Sequence, residues 1–210
     1  INLGDVIVEG ERLYGDGVNI AARLESLAEG GGICLSGTAY DQIEGKLPFT
    51  CEFAGRVAVI DLVGRRVLRM IDMPVRHTTM GPQDIKLAPD GSVFYIADSD
   101  QNGVWVLDGA ATKVVREIPT GMGAHGLYLS RDATKLYVTN RHEGSVSVLD
   151  AYTGAPVTKW TIPGGGSPDM GNVTADGTQL WLSGRYDRAV YVLSTADGHL
   201  IRKIDGEEIL

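Results

Sequence analysis

Two groups of residues have a spacing that chemistry could use. In the first, Asn19 and Arg23 stand four positions apart, just after the turn-like run Gly15-Asp16-Gly17. On a helix, that spacing puts both side chains on one face. The first turns of a helix leave N–H groups free and carry the positive end of the helix dipole, so they favour a phosphate. Arg23 would add a forked, permanently charged contact to phosphoryl oxygens. A solvated charge on a helix face is the competing reading for Arg23 alone.

The second group recurs along the chain. Gln83, His125 and Asp169 occupy one equivalent position in three similar segments, and Ser99, Arg141 and Arg185 occupy another. Polar groups that converge can bind a small ligand or a peptide. The competing reading is ordinary polar loop residues ahead of a strand, with His125 solvated between its glycines. Other chemistry is not visible. Cys34 and Cys51 lack metal or redox spacing. His77, His142 and His199 fall at unrelated places, so no metal cluster is expected. No Gly-x-Ser-x-Gly elbow or Cys/His nucleophile pair occurs.

The elements that must position these residues differ along the chain. Residues 1–8 read as a buried strand, and residues 9–17 as a Gly- and acid-rich loop. Val18 to Ala28 has apolar residues near helical spacing, with Asp16 as a plausible N-cap and Gly30-Gly31-Gly32 as the stop. A short strand over Ile33 to Ser36 and a second helix over Thr38 to Leu47 follow. Beyond residue 56 the chain repeats itself. Segments beginning at Gly81, Gly123 and Ser167 superpose, and Phe94-Tyr95-Ile96-Ala97, Leu136-Tyr137-Val138-Thr139 and Leu180-Trp181-Leu182-Ser183 follow in step. Val106-Leu107-Asp108, Val148-Leu149-Asp150 and Val192-Leu193-Ser194 close the units, and Val59-Ile60-Asp61 supplies the second half of a preceding one.

Each unit holds four short strand patterns, and Pro89-Asp90-Gly91 and Ala175-Asp176-Gly177 suit tight hairpins. Four strands in a repeat of roughly 40–45 residues are the pattern of a β-propeller blade. A lone blade has two apolar faces and buries neither; stacking buries both. A twisted β-sandwich is the alternative. The alternating Trp105, Tyr128, Tyr137, Trp181 and Tyr191 read as blade core.

Composition narrows the partners. The net charge of −8 argues against nucleic acid, whose phosphates need clustered cations. Residues 1–50 hold eight acids against three bases, residues 51–210 nineteen against sixteen, so the acidity is concentrated at the start. The apolar runs are too short for a transmembrane helix, and no signal pattern opens the chain. Glycine, 28 of 210 residues, is near twice the ordinary ~7%, as many tight turns require. The chain opens at Ile1 within a strand pattern, which suggests a piece of a longer polypeptide.

Two resemblances follow from these residues. With Tyr137-Val138-Thr139-Asn140, Ser147-Val148-Leu149-Asp150 and the Asp-Gly hairpins, residues 51–210 resemble the YVTN-family β-propellers. That resemblance implies a binding or interaction module with a protein or small-ligand partner on the propeller face, its ligand candidates being Gln83, His125, Asp169, Arg141 and Arg185. Roughly three and a half blades are present where the family usually closes with about seven, so the open sheet edges invite self-association. A propeller hydrolase or lactonase is a further possibility.

Gly15-Asp16-Gly17-Val18-Asn19-Ile20-Ala21-Ala22-Arg23-Leu24-Glu25 and Gly32-Ile33-Cys34-Leu35-Ser36-Gly37 resemble the C-terminal part of a class III adenylate/guanylate cyclase catalytic domain. The resemblance implies that Arg23 stabilises charge on the α-phosphate and Asn19 orients the ribose, both as catalytic residues. Gly15, Asp16 and Gly17 would bind substrate. The family's two metal-binding aspartates and its adenine-recognising Lys lie upstream of this stretch. Mg²⁺ or Mn²⁺ is therefore expected only for a complete cyclase, with no cofactor held by this chain. Dimerisation of the cyclase type is a second route to association, and the cyclase-like part implies cytoplasm. The expected whole is mainly β: a partial propeller of about three and a half four-stranded blades over residues 51–210, preceded by a small, truncated α/β cyclase-like fragment over residues 1–50.

Overall fold

The structure, a computed structural model, describes residues 7–9, 12–14, 55–61, 63–64, 66–74 and 80–206. Both expected helices and the Ile33–Ser36 strand lie outside these residues. So do Gly15, Asp16, Gly17, Asn19 and Arg23, both cysteines and His77. The chain divides into two compact units, Ile1–Cys51 and Glu52–Leu210.

In the first unit, β1 (Ile7–Glu9) pairs antiparallel with β2 (Arg12–Tyr14), with Ile7 opposite Tyr14 and Glu9 opposite Arg12. The expected loop over residues 9–17 is thus corrected: Arg-Leu-Tyr places a leucine and an aromatic in a short run suited to a pleated surface, and it forms a strand.

The second unit is built from successive antiparallel sheets. β3 (Arg56–Asp61) and β4 (Arg66–Asp72) form a two-stranded sheet. Three four-stranded sheets follow, each a simple meander. The first contains β5 (Pro82–Leu87), β6 (Val93–Asp98), β7 (Gly103–Asp108) and β8 (Val114–Pro119). The next contains β9 (Ala124–Leu129), β10 (Lys135–Asn140), β11 (Ser145–Asp150) and β12 (Pro156–Thr161). The last contains β13 (Pro168–Val173), β14 (Gln179–Gly184), β15 (Ala189–Ser194) and β16 (Leu200–Asp205). The described unit is therefore mainly β and arranged as propeller blades, called here blades 1 to 4. No α-helix occurs among the described residues.

The repeat extends to irregularities. The outermost strand of every blade carries a bulge, at Leu68, Val115, Val157 and Ile201. The same bulge in β3–β4 identifies these strands as the third and fourth of blade 1. The hairpin after each first strand is also constant. Asp90, Asp132 and Asp176 each accept the backbone N–H two residues on, at 3.0–3.1 Å. Gly91, Ala133 and Gly177 take the left-handed conformation between them, with φ of 72°, 57° and 77°. Glycine suits that position because it has no Cβ to clash; Ala133 occupies it at a cost.

Burial follows from stacking. Between blades 2 and 3 lie Tyr95, Val104, Val106, Leu127, Leu136, Val138 and Leu149; between blades 3 and 4 lie Tyr137, Val148, Trp160, Leu180, Leu182 and Leu193. A smaller cluster, including Val57, Ile71, Ile96, Trp105 and Leu107, joins blades 1 and 2. Trp105, Tyr128, Tyr137 and Tyr191 are buried as blade core. Trp181 is the correction: it is 42% exposed, because among the described residues no blade follows blade 4.

Candidate functional site

The first strands carry a second recurrent bulge. Pairing slips by one residue at Gln83 in β5, at His125–Gly126 in β9 and at Asp169–Met170 in β13. A bulge breaks the regular alternation and re-aims the side chain it carries. Gln83, His125 and Asp169 are thus the second residues of strands, not loop residues ahead of them. His125 is also not solvated, its side chain being 11% exposed.

Asp169 is the centre of the site. His125 Nδ1 stands 2.9 Å from its Oδ1, Arg141 Nη1 3.3 Å from Oδ1 and Arg185 Nη1 3.6 Å from Oδ2. The His125 approach is short but off the line of a ring N–H, since the nitrogen finds no aligned hydrogen-bond partner. Blade 3 thus supplies His125 and Arg141, and blade 4 supplies Asp169 and Arg185. Burial pushes the Asp169 carboxyl up, but His125, Arg141 and Arg185 outweigh it and hold the pKa below the ordinary 3.8. The carboxylate is ionised at neutral pH.

Arg141 is almost wholly buried, with 1% of its side chain exposed. Its Nη2 lies 2.9 Å from Met80 Sδ, and its Nε has no hydrogen-bond partner among the described residues. The Tyr186 ring covers the guanidinium at 5.7 Å, within cation–π reach. Gln83 does not join the carboxylate. Its Nε2 donates to the carbonyls of Met80 and Gly81 at 2.8 and 3.0 Å, so it braces the segment whose methionine touches Arg141. Ser99 is buried and donates to the Ala124 carbonyl at 3.1 Å, bracing the entry to β9.

The backbone of Asp169 is held as firmly as its side chain. Thr139 Oγ1 donates to the Asp169 carbonyl at 3.0 Å and accepts from Gly126 N–H at 2.8 Å. The Tyr128 hydroxyl accepts from Gly171 N–H at 2.8 Å and points at the same carbonyl, 3.4 Å away. Gly126 permits this close approach, because a Cβ there would overlap the Tyr128 hydroxyl and the Asp169 carbonyl. The Tyr-Val-Thr-Asn run therefore has physical roles. Tyr137 packs on Trp160 at 5.3 Å between ring centroids, and Thr139 positions Asp169. Asn140 Nδ2 ties β10 to β11 through Ser145 and Ser147, both at 2.9 Å.

Several neighbours escaped the sequence reading. His142 is not at an unrelated place: it stacks on Tyr186 at 6.0 Å between centroids. Burial, then the charges of Arg141 and His125, push its pKa below 6.5. Met80, Thr139, Tyr128 and Tyr186 also belong to the site. Their one sequence signal was adjacency to repeat positions, Tyr186 and His142 each following an arginine of the equivalent set. His199, by contrast, pairs with Asp197 on the surface.

Among the described residues no group of three or more His, Cys, Asp or Glu is placed to hold a metal ion, and no helix is long and apolar enough to cross a membrane. The arrangement can present two guanidiniums and an imidazole around one carboxylate, with Tyr186, 58% exposed, and His142 at its rim.

Similarity to known proteins agrees with this architecture. A curated relative named "Putative adenylate cyclase 3", from Rhizobium meliloti (strain 1021), is 37% identical over 86 residues, which is 40% of this chain and 13% of that protein. The chain thus spans a small part of that relative. Among solved structures, the Kuenenia stuttgartiensis hydrazine synthase superposes with a TM-score of 0.61 at 20% identity, covering 71% of this chain and 43% of that one. A catalytically inactive virginiamycin B lyase from Staphylococcus aureus with quinupristin superposes with a TM-score of 0.59 at 17% identity, covering 72% and 49%. At such identities these two likenesses concern the fold alone. Residues 76–208, well over half of the chain, match the YNCE-like beta-propeller family, and the chain belongs to that family.

Proposed function

We propose that residues 51–210 act as a binding module whose ligand engages the face around Asp169. The observation that supports this is the ion cluster itself, in which two guanidiniums and a histidine gather on one buried carboxylate across two blades. Arg185, with 35% of its side chain exposed, is the guanidinium of the cluster that a ligand can reach. The complementary ligand chemistry is then an acidic group, a carboxylate on a peptide or small molecule, which Arg fits in a forked geometry. The exposed Tyr186 offers apolar surface beside it. Calorimetric titration with glutamate, citrate and a capped Asp-Glu peptide tests the reading. Heat of binding that disappears in Arg185→Ala is expected. No heat from any of the three, or heat unchanged in Arg185→Ala, overturns it.

A second reading concerns residues 1–50. They form the truncated cyclase-like fragment, and the fuller protein is a nucleotide cyclase signalling protein with the propeller as its sensor region. Two things support it: the Gly15–Glu25 motif and the identity shared with a protein named as an adenylate cyclase. Asn19 and Arg23 would face the ribose and α-phosphate, and Gly15, Asp16 and Gly17 the substrate turn. The fragment by itself is inactive in this reading, since the family's metal-binding aspartates are outside it. The purified chain with ATP and Mg²⁺ or Mn²⁺ should yield no cyclic AMP; measurable product overturns the inactivity. Weak ATP binding lost in Arg23→Ala supports the cyclase relationship, and its absence leaves the binding module alone.

A further inference from the structure

The two ring nitrogens of His125 have different surroundings. Nδ1 lies 2.9 Å from Asp169 Oδ1, and that carboxylate is ionised. A bare lone pair on Nδ1 would be repelled by the oxygen, so the hydrogen of the neutral ring sits on Nδ1 and the lone pair on Nε2. Among the described residues no hydrogen bond engages Nε2, and the buried atoms without a partner include Nδ1 but not Nε2. The exposed 11% of the side chain therefore includes Nε2.

The ring is held in place by contacts internal to the chain. His125 sits at the bulge of β9, and the two residues after it are tied to neighbouring side chains. Gly126 N–H donates to Thr139 Oγ1 at 2.8 Å, and Leu127 N–H donates to Asp84 Oδ2 of blade 2 at 2.8 Å. Thr139 in turn donates to the Asp169 carbonyl at 3.0 Å. Blades 2 and 3 thus fix the strand that carries the ring, and blade 3 fixes the residue it faces. An acceptor positioned in this way needs little further ordering when a ligand arrives.

We infer that the ligand of this site is an α-hydroxy acid, whose carboxylate is held by Arg185 and whose hydroxyl donates to His125 Nε2. The inference rests on the acidic-ligand reading above and gives a role to the one open group which that reading leaves unused. His125 and Arg185 approach the two oxygens of a single carboxylate, at 2.9 and 3.6 Å, so one small ligand can meet both. The guanidiniums offer donors only and cannot accept the hydrogen of a hydroxyl, whereas the Nε2 lone pair can. A neutral donor suits this acceptor better than an ammonium group, which would set a further positive charge beside Arg141 and Arg185.

Pairs of acids that differ by one hydroxyl test the inference: malate against succinate, and citrate against tricarballylate, each titrated calorimetrically into the full chain. Each hydroxy acid should bind about fivefold tighter than its partner, the worth of one hydrogen bond. In His125→Phe, with the sheets checked by circular dichroism, the two members of a pair should bind alike. Nitrogen NMR of the isotope-labelled native chain in alkaline buffer reads the tautomer without any substitution. Nε2 should show the shift of an unprotonated ring nitrogen and should move on adding malate but not succinate. A hydrogen on Nε2 overturns the inference. So does a preference that survives in His125→Phe, which would place the acceptor elsewhere. Equal binding within each pair, lost in Arg185→Ala, also overturns it but leaves the acidic-ligand reading standing. Binding by none of the four acids overturns both.

Discussion

Blades 3 and 4 are built from nearly the same instructions and end in different environments. Blade 3 has a neighbour on each side, and β10 is buried along almost its whole length. Among the described residues blade 4 has a neighbour on one side, and β14 alternates between buried and exposed residues. Leu180 and Leu182 are 0% exposed, like Leu136 and Val138, while Trp181 and Ser183 are exposed where Tyr137 and Thr139 are buried. A blade thus acquires its second core face from its neighbour. The site obeys the same rule. His125 and Arg141 gain a carboxylate because blade 4 delivers Asp169 across the interface, whereas Gln83, one repeat earlier, caps backbone carbonyls.

The comparison can be broken most decisively at its aromatic pair. Tyr137→Ala should cost about 4 kcal/mol, the range for emptying a buried aromatic site, whereas Trp181→Ala should cost less than about 1.5 kcal/mol. Urea denaturation of both variants measures the gap, and equal losses would mean that blade 4 is covered as blade 3 is. The site ranks next. Asp169→Asn leaves Arg141 buried without its counter-charge and should cost about 3 kcal/mol, while Gln83→Ala should cost about 1 kcal/mol, a typical hydrogen-bond loss. Equal costs would remove the distinction between a charge centre and a brace.

The pH dependence sharpens the same point by a smaller amount. The Asp169 carboxyl has a lower pKa folded than the 3.8 it recovers on unfolding. Its ionic stabilisation is complete above that value and is lost as pH falls through the lower folded one. The stability difference between the native chain and Asp169→Asn should therefore hold from neutral pH down to about 4 and shrink in stronger acid. A difference independent of pH would contradict this. The hairpins should show the smallest effect. Gly177→Ala should lose about 1 kcal/mol, and Ala133→Gly, which frees a left-handed residue of its Cβ, should gain about 0.5 kcal/mol. Thermal unfolding of the two variants checks the opposite signs.

Much of the blade organisation was legible in the residues, because strand alternation and turn chemistry are local and repeat. The Asp-Gly hairpins, the four strands of each unit and the half-unit at Val59-Ile60-Asp61 could be read without any knowledge of neighbours. The site was partly legible. Aligning the repeats brought His125, Asp169, Arg141 and Arg185 together as equivalent positions, but it also included Gln83 and Ser99, which only brace backbone. Repeats of equal spacing share a place in their own blade, and nothing local says which of them touch. Met80 and Tyr186 were missed because they reach Arg141 from other parts of the chain.

By itself the sequence determined the strands, their turns and the recurrence of polar side chains at equivalent places in each repeat, since these depend on side-chain type within a few residues. It also carried the cyclase-like motif at Gly15–Glu25, which lies outside the described residues. The tertiary structure alone decided three things: that bulges turn His125 and Asp169 toward each other, that Arg141 is sealed beneath Tyr186, and that Trp181 stays open while Tyr137 is closed. Each depends on what a neighbouring blade places opposite, and burial is a property of pairs of surfaces that no single repeat contains.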